Sequence, residues 1–153
     1  ASLEILSGRD VLLIEEVVGH HVMSGAQEIG SRWPAHATAT GKAILAHLPP
    51  SDLDTFLAQP LIRYTKHSIT SADTLRAHLT ATRTRGYALA TEELELGYTS
   101  LGAPIFDHTG QVIAAVSIGG ATIRFPPPSE FEPYRTQLCQ TTQTISYQLG
   151  HRL

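Results

Sequence analysis

Residues 30–50 read Gly-Ser-Arg-Trp-Pro-Ala-His-Ala-Thr-Ala-Thr-Gly-Lys-Ala-Ile-Leu-Ala-His-Leu-Pro-Pro, and the rest of the chain is organised around this stretch. It opens with turn residues at Gly30 and Pro34 and continues through small and hydroxylated residues at positions 37–41. Residues 42–48 then have an apolar helical pattern, which the Pro49-Pro50 pair stops because proline cannot continue a helix. The stretch predicts a helix whose first turn carries unusually small side chains.

The start of such a helix is suited to binding an anion or a carbonyl oxygen. Its first N–H groups have no partner inside the helix, and they carry the positive end of the helix dipole. Small side chains at Ala37, Ala39 and Gly41 would let a ligand approach these donors. The alternative is an ordinary cap, in which the hydroxyl of Thr38 or Thr40 satisfies them.

Length and composition indicate one domain with a substantial core. The chain has 153 residues, of which 42% are hydrophobic and 16% are charged. This is enough for one core and too little for two comfortable domains. No apolar run approaches the roughly 18 residues of a membrane span, and the start lacks the layout of a signal peptide. We expect a cytoplasmic protein whose single cysteine, Cys139, is a small buried side chain on a helix.

The charge distribution argues against direct DNA binding by this chain. The formal net charge is −3, and the 11 Lys and Arg residues are scattered along the sequence. A DNA-binding surface should instead show a basic stripe that neutralises phosphates.

The remaining patterns predict an α+β fold with helices against a largely antiparallel sheet. Hairpins are predicted at residues 3–18 and 98–119, a further strand within 22–29, and a short strand at 87–90. Helices are predicted at 51–57, with Ser51 in a capping box, at about 71–85 before Gly86, and at about 129–149. Six residues trace one face of the last helix: Phe131, Tyr134, Leu138, Thr142, Ile145 and Leu149.

Two groups of residues allow a chemical interpretation beside an ordinary one. His20-His21 suggests a metal site, but adjacent strand residues point to opposite faces, so no metal is predicted. Glu92, Glu93 and Glu95 would suit acid–base chemistry, yet a polar loop favours solvated charges or a contact that holds the loop over a pocket. No catalytic residue and no cofactor is predicted.

Residues 36–43, His-Ala-Thr-Ala-Thr-Gly-Lys-Ala, resemble the His-Ala-x-x-x-Gly-Lys-Ala element in the C-terminal effector-binding domain of the IclR family of bacterial transcriptional regulators. Three further segments follow in the family's order: 70–75 leading into 83–87, then Glu92-Glu93 with Gly97, then 103–107 followed by 112–120. The resemblance implies a GAF-like architecture. It also implies that residues 1–153 form a single effector-binding domain, and that the winged helix-turn-helix DNA-binding domain is absent from this chain.

Alternation along the predicted strands places Tyr98 with Ser100, and Ser117 with Gly119. The resemblance adds ligand-binding roles. It implies that the backbone amides of Ala39 and Thr40 hold a carboxylate, and that positions 90, 100, 117 and 119 make polar contacts. Apolar walls are implied at Gly25, Trp33 and Tyr98.

Two positions depart from the family members that sense small oxo-acids. Ala90 stands where those members have an acidic residue, and Gly119 where they have a serine. The expected effector is therefore a carboxylic acid larger and less polar than glyoxylate, aromatic acids included, with its ring on Trp33. The alternative is that Trp33 belongs to the core.

The expected function is effector sensing, which changes how an attached helix-turn-helix domain binds its operator. DNA is contacted only through that missing domain, no membrane is involved, and the domain forms homo-dimers or tetramers as in the family. Two alternatives remain: a GAF-like enzyme that uses Glu93 or Ser117, and a structural oligomerisation module with a closed interior.

Overall fold

The computed structural model describes residues 1–19 and 27–152, which contain a six-stranded sheet. Neighbouring strands all pair antiparallel. The strands are β1 Ser2–Ser7, β2 Asp10–Glu16, β3 Arg32–Pro34, β4 Ala88–Thr91, β5 Tyr98–Phe106 and β6 Val112–Ala121. Their order across the sheet is β3-β2-β1-β6-β5-β4, so the first strand of the chain lies beside the last. The α+β prediction is confirmed.

Helices cover both faces of this sheet. They are α1 Ala39–Leu45, α2 Pro50–Leu57, α3 Ala72–Arg85 and α4 Glu132–Gln148. Helix α1 packs across β5, β6 and β4 and also contacts α3, whereas α4 packs on β5 and β6. We call the sheet face under α1 the inner face.

The core has one part on each side of the sheet. The inner part includes Ile44 and Leu45 of α1 with Val11 of β2, whereas Leu101 and Ala103 of β5 pack with Phe131 and Leu138 on the α4 side. Because strand side chains alternate between faces, Leu101 and Ala103 on one side leave Ser100 and Gly102 on the other. This alternation gives the inner face of β5 its small and polar side chains.

Helix ends follow the sequence signals in one case and not in another. Gly86 ends α3 in the left-handed region with φ 83°, as predicted, and the Ser71 hydroxyl caps the start of α3 by accepting a hydrogen bond from the Thr74 amide. Ser51 does not cap α2, because the helix begins at Pro50, where proline needs no N–H. The predicted cap at Ser51 is therefore wrong.

Helix α4 begins at Glu132, later than predicted, and its buried face differs in part. Leu138 and Thr142 are buried as expected, but Tyr134 and Leu149 are exposed. Ser146 is buried instead, since its hydroxyl donates to the Thr142 carbonyl and accepts from the Phe106 amide.

The segment before α1 also differs from the prediction. Residues 20–26 lie outside the described residues, and they include His20, His21, Gly25 and most of the predicted strand. Residues 27–30 are described and are in no strand. A short strand lies at Arg32–Pro34, where only turn residues were predicted. Within residues 1–19 and 27–152, no helix is long and apolar enough to cross a membrane. In the same ranges, no three His, Cys, Asp or Glu side chains are grouped as a metal site would need.

Candidate functional site

The start of α1 combines a side-chain cap with two amides that remain available. The Thr38 hydroxyl accepts a hydrogen bond from the Gly41 amide at 3.2 Å, so the capping alternative holds for this donor. The amides of Ala39 and Thr40 have no acceptor among the described residues. Two of the first donors of α1 are therefore free within the described part of the chain.

Two glycines hold this helix start tightly in place. A Cβ atom on Gly102 would lie 2.6 Å from the Ala39 carbonyl carbon and 2.8 Å from the Thr40 nitrogen. A Cβ atom on Gly41 would overlap the backbone of Ala35. Gly41 is thus needed for packing against the segment that precedes α1, which is a different reason from the ligand access inferred from sequence.

Strand register brings most of the predicted residues to the inner face. Ala90 pairs with Ser100 across β4 and β5, and Ser100 pairs with Gly119 across β5 and β6. Ser117 pairs with Gly102 in the same way, directly below the start of α1. Because paired residues of antiparallel strands share a face, these positions converge on the Ala39–Thr40 peptide.

A small cavity of about 30 Å³ lies where these elements meet. Ala90, Tyr98 and Ser100 line it, together with Ala37, Thr38 and the loop residues Glu93, Leu94 and Glu95. That volume is close to the room of a single water molecule. Ser117, Gly119 and Trp33 are not among its lining residues. A metabolite would therefore need part of this wall to move.

Tyr98 closes the inner face beside Gly119. Its hydroxyl occupies the space that a Cβ atom on Gly119 would take, and the Ser100 Cβ lies 3.0 Å from the same point. Glycine at position 119 provides no polar side chain, as expected from the sequence. The hydroxyl of Tyr98, on the neighbouring strand, lies in the space where that side chain would be. Tyr98 is 40% exposed, so this wall of the inner face borders solvent.

Ser117 belongs to a chain of hydrogen bonds that ends at α1. The hydroxyls of Ser117 and Ser2 lie 2.8 Å apart, and the Ser2 hydroxyl donates to Glu4 Oε1 at 2.8 Å. The Thr40 hydroxyl donates to Glu4 Oε2 at 2.5 Å. Burial raises the pKa of the Glu4 carboxyl, and the hydrogen bonds from Thr40 and Ser2 oppose that shift. Glu4 is 5% exposed and was not singled out from the sequence.

A buried ion pair fixes the loop beside the cavity. The Lys42 ammonium donates to Glu93 Oε1 at 2.5 Å and to the Leu89 carbonyl at 2.6 Å. Burial lowers the pKa of Lys42, and the negative charge of Glu93 opposes that shift. Glu93 Oε2 is buried without a hydrogen-bond partner in the described residues. Of the sequence alternatives for this loop, the geometry fits a contact that holds it over the pocket.

Trp33 packs at the edge of the inner core cluster. It is partly buried and pairs with Val11 across β2 and β3. Its indole Nε1 donates to the Gln27 side-chain oxygen at 3.0 Å. This placement fits the core alternative more directly than a ligand wall.

His36 is buried at the entry to α1. Its Nε2 lies 2.9 Å from the Ile62 carbonyl, and burial lowers the pKa of the ring. The side chain therefore ties the helix entry to the segment that follows α2.

This fold matches those of solved bacterial transcriptional regulators. The Thermotoga maritima IclR structure aligns with a TM-score of 0.92 and 34% identity, over 98% of this chain and 61% of that one. The inducer-binding domain of the Acinetobacter transcription factor PobR, a double mutant in complex with 3-hydroxybenzoic acid, aligns with a TM-score of 0.81 and 28% identity. That alignment covers 95% of this chain and 86% of the domain.

Sequence comparison identifies the same family. The family described as "Bacterial transcriptional regulator IclR C-terminal" matches residues 1–147. The HTH-type transcriptional regulator XynR of Escherichia coli is 35% identical over 150 residues, which is 97% of this chain and 59% of XynR. The chain belongs to the family of IclR C-terminal domains. It spans somewhat more than half the length of the regulator XynR that it matches.

Proposed function

We propose that residues 1–153 form the effector-binding domain of an IclR-type bacterial transcriptional regulator. The observation that carries this proposal is the family match over residues 1–147. The matched regulators are longer, and in this proposal a helix-turn-helix domain outside this chain binds the operator. Effector binding changes operator affinity only as far as the effector prefers one conformation or assembly of the regulator.

The proposed site lies on the inner face below the start of α1. The amides of Ala39 and Thr40 receive the carboxylate of an acid, and their lack of an acceptor in the described residues supports this role. Positions 90, 98, 100, 117 and 119 surround the rest of the ligand, whereas Trp33 packs at the edge of the core. The complex of PobR with 3-hydroxybenzoic acid supports a carboxylic acid, aromatic acids included, as the effector.

In this proposal, entry of such an acid requires part of the cavity wall to move. The cavity of about 30 Å³ is far smaller than a ligand-sized site. We propose that the partly exposed Tyr98 ring swings outward, whereas Lys42 and Glu93 hold the loop on the other side. Movement at the beginning of β5 is thus the step that would carry the signal onward.

The same proposal covers assembly and location. The domain associates into homo-dimers or tetramers, contacts DNA only through the attached domain, and acts in the cytoplasm, where a bacterial regulator meets its operator. It is a sensor and leaves its ligand unchanged.

A ligand screen tests this function. The melting temperature of the chain is measured with aromatic and aliphatic carboxylic acids, and bound acids are recovered and analysed by mass spectrometry. We expect at least one acid to raise the melting temperature and to be recovered intact. Ser100→Leu, which fills the cavity, should abolish the shift, whereas Thr141→Leu on the exposed side of α4 should not. Conversion of the acid would instead support the enzyme alternative.

A further inference from the structure

The hydrogen bonds on the inner face fix the direction in which one hydroxyl proton points. Both oxygens of Glu4 accept a hydrogen bond, one from Ser2 and one from Thr40. No Lys, Arg or His of residues 1–19 and 27–152 forms an ion pair with Glu4. When Glu4 is ionised, its buried carboxylate has these donors and no cation as partners among the described residues, so their protons are held toward it.

Counting the hydroxyl protons in this series of hydrogen bonds determines the role of Ser117. A serine hydroxyl has one proton to donate, and an ionised carboxylate can only accept. The single proton of Ser2 is committed to Glu4 Oε1, so in the contact between Ser2 and Ser117 the donor is Ser117. Ser117 then has lone pairs and no free proton for any further partner. The same holds for Thr40, whose proton is committed to Glu4 Oε2.

We propose that Glu4, acting through Ser2, is a specificity-determining residue that makes Ser117 a hydrogen-bond acceptor toward the effector. This inference rests on the proposed function. It narrows the effector class to acids that present a hydroxyl or another donor to Ser117, and it disfavours acids with only a keto oxygen there.

The experiment compares acids that differ only in this group. Mandelate and benzoylformate share a skeleton but carry a 2-hydroxyl and a 2-oxo group, and lactate and pyruvate form a smaller pair of the same kind. Isothermal titration gives the affinity ratio within each pair. We expect the wild-type domain to favour the hydroxy acid about tenfold, the usual effect of one hydrogen bond.

Variants locate the cause of that preference. Ser2→Ala frees the proton of Ser117 and should reduce the ratio to about one or reverse it, and Glu4→Gln should act in the same direction because an amide can donate. Ser7→Ala, a matched change on the same strand, should leave the ratio unchanged. Acids that bind without a preference, or a preference that persists in Ser2→Ala, would overturn the inference and leave the proposed function standing.

A measurement on the free domain tests the chain of hydrogen bonds without any ligand. A double-mutant cycle compares the unfolding of Glu4→Gln, Ser117→Ala and the double variant, and repeats the comparison in a Ser2→Ala background. We expect a non-zero coupling that disappears when Ser2 is replaced. Absence of coupling overturns the inference, whether or not an acid binds. Coupling without binding of any acid would count only against the proposed ligand class.

Discussion

The hydroxyl of Tyr98 fills the space that a side chain on Gly119 would occupy, although the two residues belong to neighbouring strands of the sheet. The resemblance to the IclR family implies a serine at this position in members that sense small oxo-acids. A glycine at 119 therefore does more than remove a polar contact. It makes room for an aromatic side chain from β5, and the wall of the cavity depends on that substitution.

Gly119→Ser should displace the Tyr98 ring and restore a hydroxyl to the inner face. We expect this variant to gain about tenfold in affinity for glyoxylate, as one added hydrogen bond would give. Gly120→Ser is the control, because a Cβ atom on Gly120 meets no atom within 4 Å. Titration calorimetry of both variants makes the comparison. Equal glyoxylate affinities would show that position 119 does not contact the ligand.

Gly102→Ala should push the start of α1 away from the sheet. The added methyl would meet the Ala39–Thr40 backbone, which cannot give way as a flexible side chain can. We expect a loss of about 1–3 kcal/mol in the free energy of unfolding, as for other overpacked sites. Gly120→Ala should change it far less. Urea unfolding measures both, and similar losses would contradict the close contact.

Removing one partner of the buried ion pair should be strongly destabilising. Glu93→Ala leaves the Lys42 ammonium, 1% exposed by its side chain, with only the Leu89 carbonyl. We expect a loss of about 3 kcal/mol in the free energy of unfolding. Glu95→Ala, in the exposed part of the same loop, should change it by less than about 0.5 kcal/mol. The double variant with Lys42→Met and Glu93→Leu should lose less free energy of unfolding than the sum of the losses in the Lys42→Met and Glu93→Leu single variants. Additive losses would argue against the ion pair.

The Glu4 carboxyl should make stability depend on pH in a defined direction. Because burial raises its pKa in the folded state above the ordinary value of 4.5, the folded protein holds this proton more tightly than the unfolded chain. Ionisation therefore destabilises the fold, and the effect grows as pH rises from about 4.5 through the folded pKa. Glu16 is the charged neighbour that adds to the shift.

Glu4→Gln removes this ionisation while keeping the shape of the side chain. The unfolding free energy of the variant minus that of the wild type should increase across that pH range and then level off. Urea denaturation at a series of pH values gives this difference directly. A difference that stays constant with pH would mean that Glu4 has the same pKa in both states.

Local sequence signals predicted much of this fold because they act over a few residues. The Gly86 end of α3 and the pairing of β5 with β6 both follow from short-range patterns. Alternation also placed Tyr98 with Ser100 on one face of a strand. The α+β fold with a largely antiparallel sheet, and the family, could therefore be predicted before any coordinates.

The site depends on contacts that no local pattern contains. Strand β1 pairs with β6 in the middle of the sheet, and this register brings Ser2 beside Ser117. The same pairing places Glu4 where it reaches Thr40. Lys42 meets Glu93 across 51 positions of sequence. The strand at Arg32–Pro34 exists because β2 offers it an edge. Long-range pairing of this kind is what sequence reading could not supply.

The contacts of the Lys42 ammonium also bear on protein engineering. Lys42 belongs to α1, and its ammonium has two hydrogen-bond acceptors, one on the strand before the loop and one in the loop itself. A graft that transplants only the cavity-lining residues into another scaffold would bring Glu93 without its buried counter-charge. Lys42 and the backbone around Leu89 must therefore be transferred as one block with any redesigned biosensor pocket.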